Sequence, residues 1–267
     1  MPPETVIRIL QTLNRRGAYQ VALTGGEPAL YPHKDLIKII KAVSDSTLIM
    51  INTNAYNFSE ELARELAEAG VLVKVSLYGH DEESYRKFTG VKDAYQRVKK
   101  SLDLLRKYDA ELLIDVIYTR THEKLGIKVE DMVEFARQYT SYMKVVSLII
   151  PGWGGREHVQ KLSTQSLPKS FGDHVAEEVK ESGRISINVY IRPFMLPEYN
   201  CALSKAVDVF TTVDGITLAC PFFDEICSHV NNPNWMAMHF LKIVAHRSNP
   251  WPGGRCGILR YAESFKT

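Results

Sequence analysis

A strand that runs into a tight turn is most clearly indicated by the stretch Val21-Ala22-Leu23-Thr24-Gly25-Gly26-Glu27-Pro28. A short apolar run that ends in two glycines, a glutamate and a proline is typical of a buried strand leading through a tight turn into a helix. Adjacent glycines let the backbone approach a ligand closely, and a glutamate can accept hydrogen bonds from an ammonium group. Alone the motif indicates little, because such a turn needs glycine and proline in any case. Its meaning depends on the segments around it.

Around this stretch, the first two-thirds of the chain alternate between strand and helix patterns. Short β-branched runs predict strands, and longer segments with apolar residues at three- and four-residue spacing predict helices. This alternation is typical of βα units on a parallel sheet. We therefore predict an α/β fold, a partial (β/α) barrel that lacks its first strand and begins with a helix after Pro2. The predicted strands are 19–24, 47–53, 71–78, 111–118 and 144–150, and the later helices are 34–43, 60–69, 94–107 and 129–139.

From about Arg184 the pattern changes to extended segments at 185–191 and 207–212. Asp214-Gly215 follows them, and Asp-Gly between alternating apolar residues is a strong hairpin signal. We predict two domains, the partial barrel at 1–184 and a small β-rich domain at 185–267 that carries all four cysteines.

Composition excludes several classes of partner. The 33 basic and 31 acidic residues are spread along 267 residues, so no broad positive field is present for nucleic acid or an acidic membrane surface. The longest apolar runs, such as 145–150, fall far short of the roughly 20 residues that span a bilayer. The start has no secretory pattern, which predicts a cytoplasmic protein. In a reducing compartment, four cysteines favour a metal or cluster site over disulfides.

Polar residues follow three of the predicted strands, where parallel α/β sheets bind their ligands. Beside the Gly-Gly-Glu turn stand Asn52-Thr53-Asn54 and then Ser76 with 78–81. The two asparagines are explained equally well by capping of the loop that follows them. The candidate ligand-binding residues are Gly25, Gly26, Glu27, Asn52, Asn54 and Ser76.

These residues resemble the radical S-adenosylmethionine (SAM) superfamily, whose second strand ends in this motif. The resemblance implies that Gly25, Gly26 and Glu27 hold the amino group of SAM and that Ser76 contacts its ribose. It also implies an iron-sulfur enzyme of the oxidoreductase or maturase kind. In such enzymes SAM is cleaved reductively, and the 5′-deoxyadenosyl radical abstracts a hydrogen atom from the substrate.

The cysteines form the second candidate site. Thiolates bind iron-sulfur clusters, and four of them suffice for one. The spacing across the Asp-Gly turn resembles the SPASM or twitch extension, which implies one auxiliary cluster, a 4Fe-4S cluster, on this set. A zinc site with the same four ligands is an alternative. Cys227 is the least secure ligand, because a helix after Cys220 or a buried thiol also fits. The candidate metal ligands are Cys201, Cys220, Cys227 and Cys256.

The three-cysteine loop that holds the SAM-cleaving 4Fe-4S cluster in this superfamily has no counterpart here, because no cysteine precedes Cys201. We therefore expect the chain to be inactive alone, either as a piece of a longer protein or as a natural pseudo-enzyme that binds a peptide. An open apolar edge at 19–24 favours the first explanation. The resemblance implies a peptide or protein substrate and an electron donor such as a flavodoxin or ferredoxin.

Overall fold

The computed structural model describes residues 1–146, 188–190, 209–212, 214–220, 223–238 and 241. These residues belong to two compact units. The larger one, the sheet unit, contains 2–146 and 188–190, and the smaller one, the hairpin unit, contains the described residues from 209 onward.

The sheet unit is built on one sheet of six parallel strands in chain order. Parallel neighbours need crossover connections, and the first five strands are joined by helical segments. An unreversed strand order with helical crossovers is that of a barrel wall, so the predicted α/β partial barrel is confirmed. The strands are β1 (Gln20–Leu23), β2 (Leu48–Thr53), β3 (Leu72–Leu77), β4 (Leu112–Ile117), β5 (Met143–Val146) and β6 (Asn188–Tyr190).

Helices occupy the crossovers largely as the apolar spacing predicts. Ser59 begins one of them, because its hydroxyl accepts a hydrogen bond from the Leu62 N–H at 3.1 Å. In the described part of the chain, no helix is long and apolar enough to cross a bilayer. The helices are α1 (Pro3–Arg15), α2 (His33–Lys41), α3 (Glu60–Glu68), α4 (Glu82–Thr89), α5 (Ala94–Lys107), α6 (Arg120–Lys124) and α7 (Val129–Arg137), with a 3-10 helix at Pro28–Leu30.

The two faces of the sheet differ in chemistry. On β3, Val73, Val75 and Leu77 are fully buried in the core shared with the helices, as expected for alternate residues of a covered strand. Lys74 and Ser76 lie between them and are half-buried on the opposite face. We call this opposite side the inner face. Its polar residues in the described strands include Asn52, Lys74, Ser76, Asp115 and Lys144, which neighbour one another in the register.

Two sequence predictions need correction. Asn188–Tyr190, assigned to the second domain by the boundary at 184, pairs with β5 and completes the parallel sheet. A three-residue strand carries too little pattern to show which sheet it joins. The segment after β3, for which no helix is predicted, contains α4. Asp81 caps this helix through the Ser84 N–H at 2.7 Å, and Gly90 ends it in the left-handed conformation.

The hairpin unit contains an antiparallel sheet of β7 (Phe210–Thr211), β8 (Ile216–Cys220) and β9 (Phe223–His229). The predicted Asp-Gly turn joins the first two of these strands, and Gly215 has a φ of 85° there, which glycine adopts without strain. Cys220 pairs with Phe223, and Cys227 lies within β9 at a register irregularity. The helical alternative for Cys227 is therefore wrong.

Candidate functional site

Glu27 lies at the centre of the strand-end site. Its Oε1 accepts hydrogen bonds from the Ala29 N–H at 3.0 Å and the Thr53 hydroxyl at 2.5 Å. Its Oε2 accepts from the Asn54 N–H at 2.7 Å. These bonds tie the turn after β1 to the end of β2 and fix the carboxylate. An ionised carboxylate has about four acceptor positions, so one position on Oε2 is left for a ligand.

Gly25 and Gly26 precede Glu27 in the turn, and the space around their backbone is open. Gly25 has a φ of 115°, a conformation that side chains other than glycine rarely adopt. A Cβ built on either residue would have no atom within 4 Å. The backbone of both residues is therefore accessible to a ligand that contacts Glu27.

The other candidate residues divide into two groups. Asn54 lies beside Glu27, but its side-chain Oδ1 accepts from the Tyr56 N–H at 2.9 Å, which is the loop-capping role. Asn52 and Ser76 lie on the inner face, on neighbouring strands. The buried Oδ1 of Asn52 has no partner in the described structure, whereas Ser76 hydrogen-bonds the phenol of Tyr78, whose pKa is raised mainly by burial.

Thr53 is a site residue that sequence reasoning missed. Its buried hydroxyl donates to Glu27 and accepts from the Ala55 N–H at 2.9 Å, while Ala55 has a φ of 58°. A non-glycine residue in this region marks a constrained corner. Glu27 is 26 residues away, so no local pattern predicts the contact.

A second omission is the ion pair on the inner face. Lys74 Nζ lies 2.7 Å from Asp115 Oδ2, and the two side chains are 21% and 8% exposed. The polar residues that interrupt the apolar alternation of β3 and β4 were the available signal.

His122 joins the ends of β3 and β4. Its Nδ1 accepts from the Thr119 N–H at 3.1 Å, and its Nε2 lies 3.2 Å from the Tyr78 carbonyl oxygen. Its ring stacks on Phe88 with 3.9 Å between centroids. Burial lowers the pKa of His122 to about 4, so the imidazole is neutral at pH 7. The hydrogen bonds of His122 to the Thr119 N–H and the Tyr78 carbonyl oxygen hold the loop that follows Ser76 in place.

The predicted cluster ligands are only partly visible. Cys201 and Cys256 lie outside the described residues, whereas Cys220 and Cys227 lie on adjacent strands of the hairpin unit. Among the described residues, no group of three or more potential metal ligands comes together. The auxiliary cluster on these four cysteines stays a prediction.

A parallel sheet with the Gly-Gly-Glu-Pro turn at a strand end is the arrangement that the sequence resemblance implies, and comparison with protein families supports the same class. A profile of the Radical SAM superfamily matches residues 1–137, just over half of the chain. The chain therefore belongs to the Radical SAM superfamily, which implies SAM and a 4Fe-4S cluster as cofactors.

Named relatives extend this result. A protein from Thermococcus kodakarensis called a probable GTP 3',8-cyclase is 29% identical over 155 residues, which are 57% of this chain and 48% of that protein. The chain thus spans about half the length of the curated relatives it matches. Within this shared half, the level of identity fits common ancestry.

Solved structures share the fold. The structure of anSMEcpe with bound AdoMet and the Kp18Cys peptide superimposes with a TM-score of 0.62 at 17% identity, over 89% of this chain and 71% of that one. SuiB from Streptococcus suis gives 0.66 at 16% identity, over 90% and 59%. At this identity the likeness concerns the fold alone.

Proposed function

We propose that the strand-end site of this chain binds SAM, with Glu27 accepting a hydrogen bond from the amino group of the methionine part. The observation that carries the proposal is the fixed carboxylate, with three acceptor positions filled by protein donors and a fourth without a donor among the described residues. An ammonium group matches such an acceptor, and charge assistance strengthens the bond.

The remaining contacts are proposed from the resemblance to the superfamily. The open backbone at Gly25 and Gly26 lies beside the bound methionine, and the ribose meets Ser76 on the inner face. When bound, the 4Fe-4S cluster of this superfamily supplies the electron that cleaves SAM, and a flavodoxin or ferredoxin is the proposed donor. No cysteine among residues 1–200 provides a thiolate for that cluster. The proposal for this chain is therefore limited to SAM binding and placement.

Two substrate classes have support of different kinds. A peptide or protein side chain, the prediction from sequence, is supported by a fold shared with a structure that contains a peptide. A nucleotide is supported by a relative called a probable GTP 3',8-cyclase, whose match covers 48% of its length. Because this match leaves about half of the relative unpaired, it supports SAM chemistry better than it supports GTP as the substrate. Peptide modification stays a prediction.

Substitution of Glu27 by glutamine tests the SAM site. The carboxamide loses the negative charge, so we expect SAM to bind about tenfold more weakly or worse in calorimetric titrations. 5′-Methylthioadenosine, which lacks the amino acid part, is the matched ligand and should bind wild type and Glu27→Gln alike. Unchanged SAM affinity would reject the role of Glu27. Equal losses for both ligands would indicate collapse of the site instead.

Substitution of Thr53 by valine tests how Glu27 is positioned. Valine has nearly the same shape but cannot donate to Oε1, so the carboxylate loses a fixed bond and SAM affinity should fall by about tenfold. Thr53→Ser keeps the hydroxyl and should retain wild-type affinity. The same titrations, with 5′-methylthioadenosine as the insensitive ligand, measure both variants. If serine is as damaging as valine, packing and not the hydrogen bond accounts for the loss.

A further inference from the structure

Charged side chains on the inner face concentrate near the strand ends. Asp115 is the register partner of Ser76 on β3 and of Lys144 on β5. Lys74 precedes Ser76 by two residues on β3, but its ammonium group is 2.7 Å from Asp115. The charge of Lys74 therefore lies at the level of Ser76. The inner face therefore presents two cations and one anion in a row across three strands.

This row has surplus positive charge. Lys74 is paired with Asp115, whereas half-buried Lys144 has no ion pair within the described residues. Glu111 has the same strand alternation, but it is exposed and four residues from Asp115, about 13 Å along the strand. Glu27 is not counted in the row, because it lies at the turn after β1 and is assigned to the SAM amino group in the proposed function. Among the described residues of the row, Lys74, Asp115 and Lys144 leave a net charge of one positive unit where water is partly excluded, and such a charge favours an anionic partner.

Stability does not explain the row. A buried ion pair often contributes nothing compared with apolar residues of similar volume, because desolvation offsets the attraction. The pair also leaves Asp115 Oδ1 buried without a partner, and Asn52 Oδ1 on the same face has none either, among the described residues. Buried acceptors without a partner, beside a lysine that has no ion pair among the described residues, are features that a bound ligand or water completes.

We propose that Lys74 and Lys144 bind an anionic group of the substrate, a carboxylate or phosphate, beside SAM. Asp115 orients the ammonium group of Lys74. The position beside SAM rests on the proposed function. The proposed substrate therefore carries an anionic group.

SAM itself carries a carboxylate, and strand spacing separates the two sources. The Glu27 carboxylate lies at the end of β2, because it accepts from Asn54. Lys144 is on β5, three strands away, or about 14 Å. The SAM carboxylate shares a carbon atom with the amino group at Glu27, so it lies closer to Lys74, one strand away, than to Lys144. Anion binding that depends on Lys144 while SAM is saturating therefore identifies the substrate as the source.

The test titrates the 267-residue chain with inorganic triphosphate and with citrate at fixed ionic strength, each in the presence and absence of saturating SAM. We expect one of these anions to bind in the presence of SAM. Lys144→Met and Lys74→Met should each weaken that binding by about tenfold. Lys74→Arg should keep it, because the charge remains. Lys100→Met, which removes an exposed charge on α5, is the matched control and should change the affinity less than about twofold.

Three results would overturn the proposal. The first is that neither anion binds wild type in the presence of SAM, or that the anion that binds wild type binds Lys144→Met and Lys74→Met equally well. The second is an equal loss in Lys100→Met, which indicates attraction by general charge. The third is competition of the anion with SAM, together with a Lys74→Met defect in binding SAM but not decarboxylated SAM, which assigns the row to the SAM carboxylate. SAM is also titrated into the same variants. If SAM still binds and this binding depends on Glu27, the anion proposal has failed while the SAM site stands.

The fold of each variant is checked by urea unfolding. Without a bound anion, Lys144→Met should be at least as stable as wild type, because it removes an unpaired, half-buried charge. A marked loss of stability in Lys144→Met would contradict a ligand role and indicate a structural one.

Discussion

Substitution of Gly79 by alanine should lower the free energy of unfolding by about 2–3 kcal/mol, because the new methyl group has no room. Gly79 is buried between β3 and α4. Its Cβ would lie 2.7 Å from Ser84 Oγ, 2.8 Å from Tyr85 N and 2.9 Å from Tyr85 Cδ2. Two of these atoms belong to the capped first turn of α4, where Ser84 Oγ also accepts from the Asp81 N–H. The whole helix end would have to move.

Urea unfolding followed by circular dichroism measures this loss. Gly26→Ala is the matched control, because a Cβ there meets no atom within 4 Å and Gly26 is not among the glycines with positive φ. We expect its stability to remain within about 0.5 kcal/mol of wild type. The methyl group of Gly26→Ala lies next to Glu27 in the turn, so the affinity of this variant for SAM should fall. Comparable stabilities for the two variants would contradict the close packing of α4 on the end of β3.

The sheet and most helices could be predicted from local pattern. The segment 94–107 was predicted as a helix, and α5 has these bounds (Ala94–Lys107). Apolar spacing on one face of an amphipathic helix is a strong signal, because burial of that face requires it. The helix that follows β3, α4, was harder to predict. No helix was predicted there, although Asp81 and Ser84 carry the helix-capping pattern.

The strand-end site was predictable in position but not in its internal bonding. Gly-Gly-Glu-Pro after an apolar run located Glu27, because ligands bind where parallel strands end. The sequence does not show that the Glu27 carboxylate is held by Thr53 and the Asn54 N–H, since these contacts join segments brought together only by the pairing of β1 with β2. The charge row of Lys74, Asp115 and Lys144 depends on register in the same way.

The second large expected effect concerns acid stability, because folding keeps His122 neutral. The Thr119 N–H donates to Nδ1, so the ring proton is on Nε2, where it donates to the Tyr78 carbonyl at 3.2 Å. Protonation of Nδ1 would break the first bond and place a charge in a fully buried site. Burial accordingly lowers the pKa from 6.5 to about 4.

A lowered pKa makes stability depend on pH in a defined direction. Above pH 6.5 both states are neutral at His122 and the contribution is fully present; it is lost as pH falls towards about 4. The interval from 6.5 to about 4 corresponds to about 3 kcal/mol, of which about 2 kcal/mol is lost by pH 5. Acidic groups with lowered pKa, such as Glu65 and Asp81, have ordinary values of 4.5 and 3.8. Their effect therefore begins below about pH 5.

Substitution of His122 by phenylalanine isolates this contribution, because the ring can still stack on Phe88 while the titrating group is removed. At pH 7 the variant should be about 2 kcal/mol less stable than wild type, since the Thr119 N–H and the Tyr78 carbonyl lose their partner. Urea unfolding at pH 7, 6 and 5 should show wild type losing stability while the variant changes little, so that the two become equal near pH 5. Parallel pH profiles for the two proteins would exclude His122 as the origin of the acid sensitivity. Convergence would indicate that the neutral imidazole stabilises the loop that follows β3.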